Sequence, residues 1–373
     1  MKIAIITLNQ NDNYGNRLQN YALQKYLFDE IKVNKIDTIW YDPKYTCISR
    51  VDAFTWKTWI KYFINWKALR SYLKKYYIED TIRMYNISKF TNKIKTRFDF
   101  QIKDKINEEY DYFIVGSDQV WNPNFWSKKD DHANIRFLKF VSKEKRIAYA
   151  ASISVPEIPK DKEQFFKDSL NEMKAISMRE NAGADLIKNL TGKDVPVVVD
   201  PTILLTKEEW QKLELKPEWY NDEKYIITYF LGNPSPIIEN VAKKNNWKIY
   251  NLMDKHNFDL YTSRVEEFIY LINHAKLMVT DSFHGTVFSI LMNTPFLVVN
   301  RQQKGMADMT SRIDTLLELF EYQDRYIVNG KCDLSDEEIL DMDFSNVKII
   351  QERERKRSKD FLEKALILKV SDR

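Results

Sequence analysis

The sequence predicts an α/β protein built from two doubly wound parallel sheets with a cleft between them, and three observations predict it. Short apolar runs alternate with stretches of helical period from the first residues onward, the mark of strand–helix–strand units. The alternation breaks at about Leu204 to Asn221, in the polar stretch "LTKEEWQKLELKPEWYN", and restarts more regularly near Lys224. At 373 residues the chain is also longer than one compact core sustains.

The first series opens with the strand "KIAIITL", Lys2 to Leu8. An Asn-rich loop, "NQNDNYGN", leads into the helix "RLQNYALQKYLFDE", whose Leu18, Ala22, Leu23, Tyr26 and Leu27 form one apolar stripe. The runs "KIDTIWY", "YDYFIVGS", "RIAYAAS", "AISMR" and "VPVVVDPT" read as further strands. The second series runs strand "KYIITYFLG", helix "PIIENVAKKNN", strand "WKIYNL" and helix "RVEEFIYLINHA". It continues with strand "KLMVTDS", helix "GTVFSILMN", strand "PFLVVN" and helix "SRIDTLLELF". The expected organisation is a first Rossmann-like domain over 1–205 carrying a helical insertion at about 53–106. A second domain over 206–340 and a polar C-terminal helix within 341–373 follow, the helix lying on the surface or crossing back to the first domain.

Composition excludes several classes. Net charge is +4, from 58 basic and 54 acidic side chains, a balance that does not argue for nucleic acid. Cys47 and Cys332 stand far apart, and neither has a CxxC neighbour or a nearby His, so neither a disulfide framework nor a zinc site is expected. No His and carboxylate set has metal-ligand spacing, so no metal and no cofactor are expected. No run approaches the ~18 apolar residues that a membrane span needs. The N-terminus reads as a strand and its apolar run is too short for a signal peptide, so the cytoplasm is the expected location.

Open α/β sheets bind ligands outside the carboxyl ends of their strands. That rule selects the loops Asn9–Asn16, Gly116–Asn122, Ser177–Glu180, Gly232–Pro236, Asp281–Gly285 and Asn300–Gly305. In "TDSFHG", Asp281, Ser282, His284 and Gly285 fall where a strand passes into a helix. Backbone N–H groups at a helix start favour anions, and an imidazole there suits proton transfer. A capping histidine is the plainer alternative. One strand later, "NRQQKGM" carries Arg301 and Lys304; Arg179 ends the strand of "SMRE", where its simpler role is an ion pair with Glu180 or another carboxylate. "GSDQVWNP" offers Ser117, Asp118, Gln119, Trp121 and Asn122, polar groups and an aromatic ring of the kind that binds sugars. Its alternative is a turn and cap with Trp121 in the core. Asn16 reads likewise as a cap or as a group facing the cleft.

"GNRLQNYAL", "FIVGSDQVWNP", "YAASIS", "SMRENAGADLI", "VVVDPTILL" and "VTDSFHGTVFSILMNTPFLV" together resemble the polysaccharide pyruvyl transferase family, over the chain from its first strand to about Leu316. The resemblance implies a glycosyltransferase-B-like pair of domains. It implies transfer of a pyruvyl group from phosphoenolpyruvate, as donor substrate, onto a sugar as a ketal, with phosphate released. It implies that Arg179, His284 and Lys304 are the active-site residues, the acceptor being a sugar of a cell-surface polysaccharide or its lipid-linked precursor. Two other functions stay in view: a sugar-nucleotide glycosyltransferase of the same architecture, which would need a ribose-binding acid such as Asp281, and a non-catalytic carbohydrate-binding protein.

The stretch 54–77 stands apart. Trp56, Trp59, Phe63 and Trp66 recur at helical steps among Lys57, Lys61, Lys67, Arg70, Lys74 and Lys75, and no acidic residue falls between Ala53 and Ile78. Such a helix suits peripheral contact with the inner face of the cytoplasmic membrane. Packing of the Trp stripe on its own domain is the competing expectation.

Overall fold

The computed structural model describes residues 1–9, 13–41, 78–98, 106–126, 131–232, 237–300, 311–328, 332 and 334–367. The aromatic and basic stretch 54–77, Cys47, Arg301 and Lys304 lie outside the described residues.

Two separate parallel sheets form, as the alternation predicts. The first contains β1 (Lys2–Ile6), β2 (Lys35–Ile39), β3 (Thr96–Arg97), β4 (Tyr112–Val115), β5 (Arg146–Ala151) and β6 (Ala175–Met178), in the order β3-β2-β1-β4-β5-β6. The second contains β7 (Tyr225–Tyr229), β8 (Lys248–Asn251), β9 (Leu277–Thr280), β10 (Phe296–Val299) and β11 (Tyr326–Ile327), in the order β11-β10-β9-β7-β8. These are the two common doubly wound orders, and each has one point where the winding reverses: between β1 and β4, and between β7 and β9. Strands β4, β9 and β10 are apolar or threonine at every position and wholly buried, as parallel strands covered on both faces must be.

The longer helices are α1 (Tyr14–Asp29), α2 (Glu79–Lys89), α3 (Lys160–Asn171), α4 (Asn181–Thr191), α5 (Ile237–Asn245), α6 (Val265–Asn273), α7 (Phe283–Met292), α8 (Ser311–Phe320) and α9 (Val347–Ile367). Every residue of α7 is buried. A helix buried all round belongs inside, and α7 lies between the second sheet and the first half of the molecule. One hydrophobic cluster runs across both halves, from Leu18 and Leu23 of α1 through Phe268 of α6 and Phe288 of α7 to Leu362 of α9. The cleft expected between the sheets is therefore closed on one side by shared core.

Polar contacts pin the same seam. The Tyr14 ring stacks on Phe268 at 4.5 Å between centroids, and its hydroxyl donates to the Ser263 carbonyl at 3.0 Å. Arg83 Nη1 of α2 donates to Leu252 O and Tyr261 O of the second half, at 3.1 and 2.5 Å. Helix α9 crosses back to the first half: Gln351 Nε2 donates to Ile203 O and Leu205 O, both at 2.8 Å, and Lys174 Nζ meets Ala365 O.

Two expectations about strands need correction. "VPVVVDPT" is not a regular strand; it makes a single bridge, Val197 to Met178, and turns at Asp200-Pro201 into the short helical turn Pro201–Leu204. Pro201 lacks the N–H a strand needs, and the Asp200 carboxylate accepts from the Thr202 amide to cap the turn. The edge strands β3 and β11 went unseen in the sequence because two residues carry no periodic signal.

Candidate active site at the two reversal points

Each reversal point presents two loops. In the first half these are the loop from β1 into α1 and the loop after β4. Asn13 caps α1, its Oδ1 accepting from the Gly15 amide at 2.8 Å. Asn16, one residue on, is 2% exposed, and its Nδ2 has no hydrogen-bond partner among the described residues. After β4, Gly116 turns the chain at φ +119, where a Cβ would stand 2.1 Å from the Tyr149 carbonyl oxygen, so only glycine fits. Ser117 Oγ then lies 2.9 Å from Ala150 O and 3.0 Å from Asp200 Oδ2. Asp118 Oδ1 accepts from the Gln119 amide at 2.9 Å and from Arg179 Nη2 at 3.2 Å.

In the second half the β9 loop carries Asp281 and Ser282 into α7. Ser282 caps α7 by accepting from the Gly285 amide, which tightens the turn on which His284 sits. Gly285 is small because α7 presses on β9: a Cβ there would approach Thr280 Oγ1 to 2.7 Å. The imidazole of His284 is 5% exposed and reaches across to the first half.

The groups converge on Asp200. Its Oδ2 receives Arg179 Nη1 at 2.8 Å, its Oδ1 receives the Thr202 amide and hydroxyl at 3.0 and 2.7 Å, and His284 Nε2 stands 3.7 Å from Oδ1. The last distance exceeds a hydrogen bond. Burial by itself raises the Asp200 carboxyl; His284, Arg179 and the Thr202 amide outweigh it and hold the group far below the usual carboxylate range. Asp118 is lowered in the same way: burial opposes, and Arg179, His284 and Arg312 prevail. Glu180 goes the other way, because burial exceeds the pull of Arg179 and Arg312. Arg312 comes from α8 and lies 4.0 Å from Asp118 Oδ1. The Arg179 and Arg312 guanidiniums both sit over the Phe283 ring, at 4.4 and 5.8 Å. Beside them opens a cavity of about 390 Å³, lined by Arg179, Asp200, Phe283 and Arg312, with Val198 and Leu316 in its apolar wall.

The family model of the polysaccharide pyruvyl transferases matches residues 13–303. The chain belongs to this family. No curated protein matches it. Among solved structures, an uncharacterised protein from Klebsiella pneumoniae is 15% identical, with 67% of this chain and 88% of that one covered and a TM-score of 0.40. A putative UDP-N-acetylglucosamine 2-epimerase from Listeria monocytogenes is 11% identical, with 98% and 91% covered and a TM-score of 0.47. MurG from Acinetobacter baumannii is 9% identical, with 99% and 100% covered and a TM-score of 0.42.

Of the residues singled out in the sequence, the structure gathers Ser117, Asp118, Arg179 and His284 around one carboxylate and leaves Asn16 buried in the first turn of α1. It sets others to different tasks. Trp121 is wholly buried: it stacks on Phe137 at 5.0 Å and donates to Arg136 O at 3.0 Å, so it offers no face to a sugar. Asn122 caps the turn Pro123–Phe125, accepting from the Asn124 amide at 3.0 Å. Both oxygens of Asp281 accept backbone amides, of Leu231 and Gly232, each at 2.7 Å, which ties the β9 loop to the β7 loop. Gln119 is 9% exposed beside Asp118. Sequence reasoning missed Asp200, Arg312 and Phe283. The signal for Asp200 was present: a carboxylate ending an apolar run, placed like Arg179 one segment earlier. Arg312 had none, being one charge on an amphipathic helix.

No described helix is long and apolar enough to cross a membrane, and no group of three or more His, Cys, Asp or Glu able to hold a metal occurs among the described residues.

Proposed function

We propose that the protein transfers the pyruvyl group of phosphoenolpyruvate onto a sugar of a cell-surface polysaccharide or its lipid-linked precursor. One observation carries the proposal: Arg179 of the first half and His284 of the second meet at Asp200, next to a cavity of small-molecule size. A guanidinium has five N–H groups, and the bonds to Asp118 and Asp200 use two. The others are left for the donor's carboxylate. Lys304, which follows β10 in the sequence, would neutralise the phosphate.

The reaction needs one proton in and two bonds to sugar oxygens. Protonation of the donor's methylene carbon makes its central carbon electrophilic, and a sugar hydroxyl adds there and loses its proton. Departure of phosphate restores the electrophile, and a neighbouring hydroxyl closes the ketal, its proton passing to the released phosphate. In this reading His284 moves protons between these partners. The glycosyltransferase alternative would set Asp281 on a ribose, and in the structure that carboxylate accepts the amides of Leu231 and Gly232.

The test is incubation with phosphoenolpyruvate and aryl glycosides of the common hexoses, assaying phosphate release and product mass. Phosphate together with a product heavier by one pyruvyl ketal supports the proposal. Glycosyl transfer from a sugar nucleotide, or saccharide binding without turnover, overturns it.

A further inference from the structure

Helix α1 has glycine at its second position, and the helix itself gives no reason for one. Gly15 does not adopt a left-handed conformation, and alanine is the better helix former. The reason lies in the other half of the molecule. A Cβ on Gly15 would stand 2.0 Å from His284 Nδ1 and 2.5 Å from His284 Cε1 and Cγ. The imidazole occupies the space a side chain at 15 would fill. Its other nitrogen, Nε2, faces Asp200 Oδ1 at 3.7 Å. Both ring nitrogens of a second-half histidine are thus addressed by first-half groups, one at the start of α1 and one at the turn after Val199.

We propose that Gly15 is a positioning residue: by lacking a side chain it lets the first half close over His284 and, with Asp200, set the ring where the reaction uses it. The inference rests on the proposed role of His284 for its consequence in turnover, but the contact itself is tested without any substrate. If the ring is what forbids a side chain at 15, Gly15→Ala lowers the unfolding temperature in the natural protein. In the His284→Ala background the same change then leaves the unfolding temperature unchanged or raises it, since the obstacle is gone and alanine suits the helix better. An equal loss in both backgrounds would overturn the proposal, because it would place the cost in α1 itself.

The second readout is the imidazole ring resonance of His284, assigned by its disappearance in His284→Ala. It shifts in Gly15→Ala and in Asp200→Asn if both groups hold the ring; an unmoved resonance in Gly15→Ala overturns the proposal. With phosphoenolpyruvate turnover in hand, Gly15→Ala lowers kcat by about 10²-fold, the scale of a misplaced catalytic group. A kcat within twofold of the natural value would show that the ring's placement does not matter to the reaction. Should no turnover be found in the natural protein, the function fails while the stability cycle and the resonance still decide the contact.

Discussion

Arg83 and Arg179 are both buried at the seam between the halves, and they work there with different chemistry. Arg83 of α2 gives one nitrogen to the Tyr14 hydroxyl and to the carbonyls of Leu252 and Tyr261, and its guanidinium lies over the rings of Tyr14 and Tyr261. Its hydrogen-bond acceptors among the described residues are neutral oxygens. Arg179 is set between two carboxylates, Asp118 and Asp200, over Phe283 and against a cavity. The first seam is a pin: its oxygens are all satisfied by one cation that leads nowhere. The second is a cluster of charges whose geometry depends on each member and which lines a cavity. The difference teaches which buried cation to suspect of function. Burial alone does not separate them; partners that carry charge, and a neighbouring cavity, do.

Variants at four positions sharpen or break that contrast. The largest effect belongs to the charged seam: His284→Ala should reduce turnover with phosphoenolpyruvate by about 10²–10⁴-fold, the worth of one acid–base group. Turnover near the natural value would return His284 to a structural role. Next comes Arg179→Met, which strands Asp118 and Asp200 without their cation and should cost about 3–5 kcal/mol in denaturant unfolding. Arg179→Lys keeps the charge but loses the two-pronged grip, so it should fold and still bind the donor more weakly; equal donor binding would remove Arg179 from the substrate site.

The pin should behave otherwise. Arg83→Met ought to lose about 1.5–3 kcal/mol of stability, the worth of hydrogen bonds to a charged group, with kcat preserved at temperatures where the variant is folded. A large fall in kcat in folded Arg83→Met would erase the distinction between the seams. The smallest effect is a control away from both. Burial pushes the Glu214 carboxyl up from 4.5 to about 7, against the lowering effect of Asn273 and Lys207. A carboxyl that keeps its proton more tightly when folded adds stability that is whole below the lower value and is lost as pH rises through the higher one. Stability should therefore decline from about pH 4.5 to 7 in the natural protein, and Glu214→Gln should flatten that slope. An unchanged slope would mean that other groups govern it.

Much of the site was legible before any coordinates. The strand-end rule chose the loops that hold Ser117, Asp118, Arg179 and His284, because strand and helix periods are local and the carboxyl ends of parallel strands all lie on one edge. The rule did not say which way a side chain turns. Trp121 sits in the right loop and faces the core, where Phe137 covers it. Asp281 sits in the right loop and holds backbone amides. Asp200 was passed over because its segment read as a strand, although Pro201 after it was the clue to a turn. The reason for Gly15 is not written near it in the sequence, and only the ring packed against it shows one.

The sequence by itself determined two parallel α/β units, the loops at their carboxyl edges and the family to which those loops belong, since each of these is written in runs of a few to a few tens of residues. The tertiary structure alone decided that Asp200 is the meeting point and that the first half closes on His284. Those contacts join groups from opposite halves, across a seam where Tyr14 finds its partner Ser263 at a separation of 249 residues. No periodicity reaches so far. Only the docking of one sheet's loops against the other's brings such groups within bonding distance.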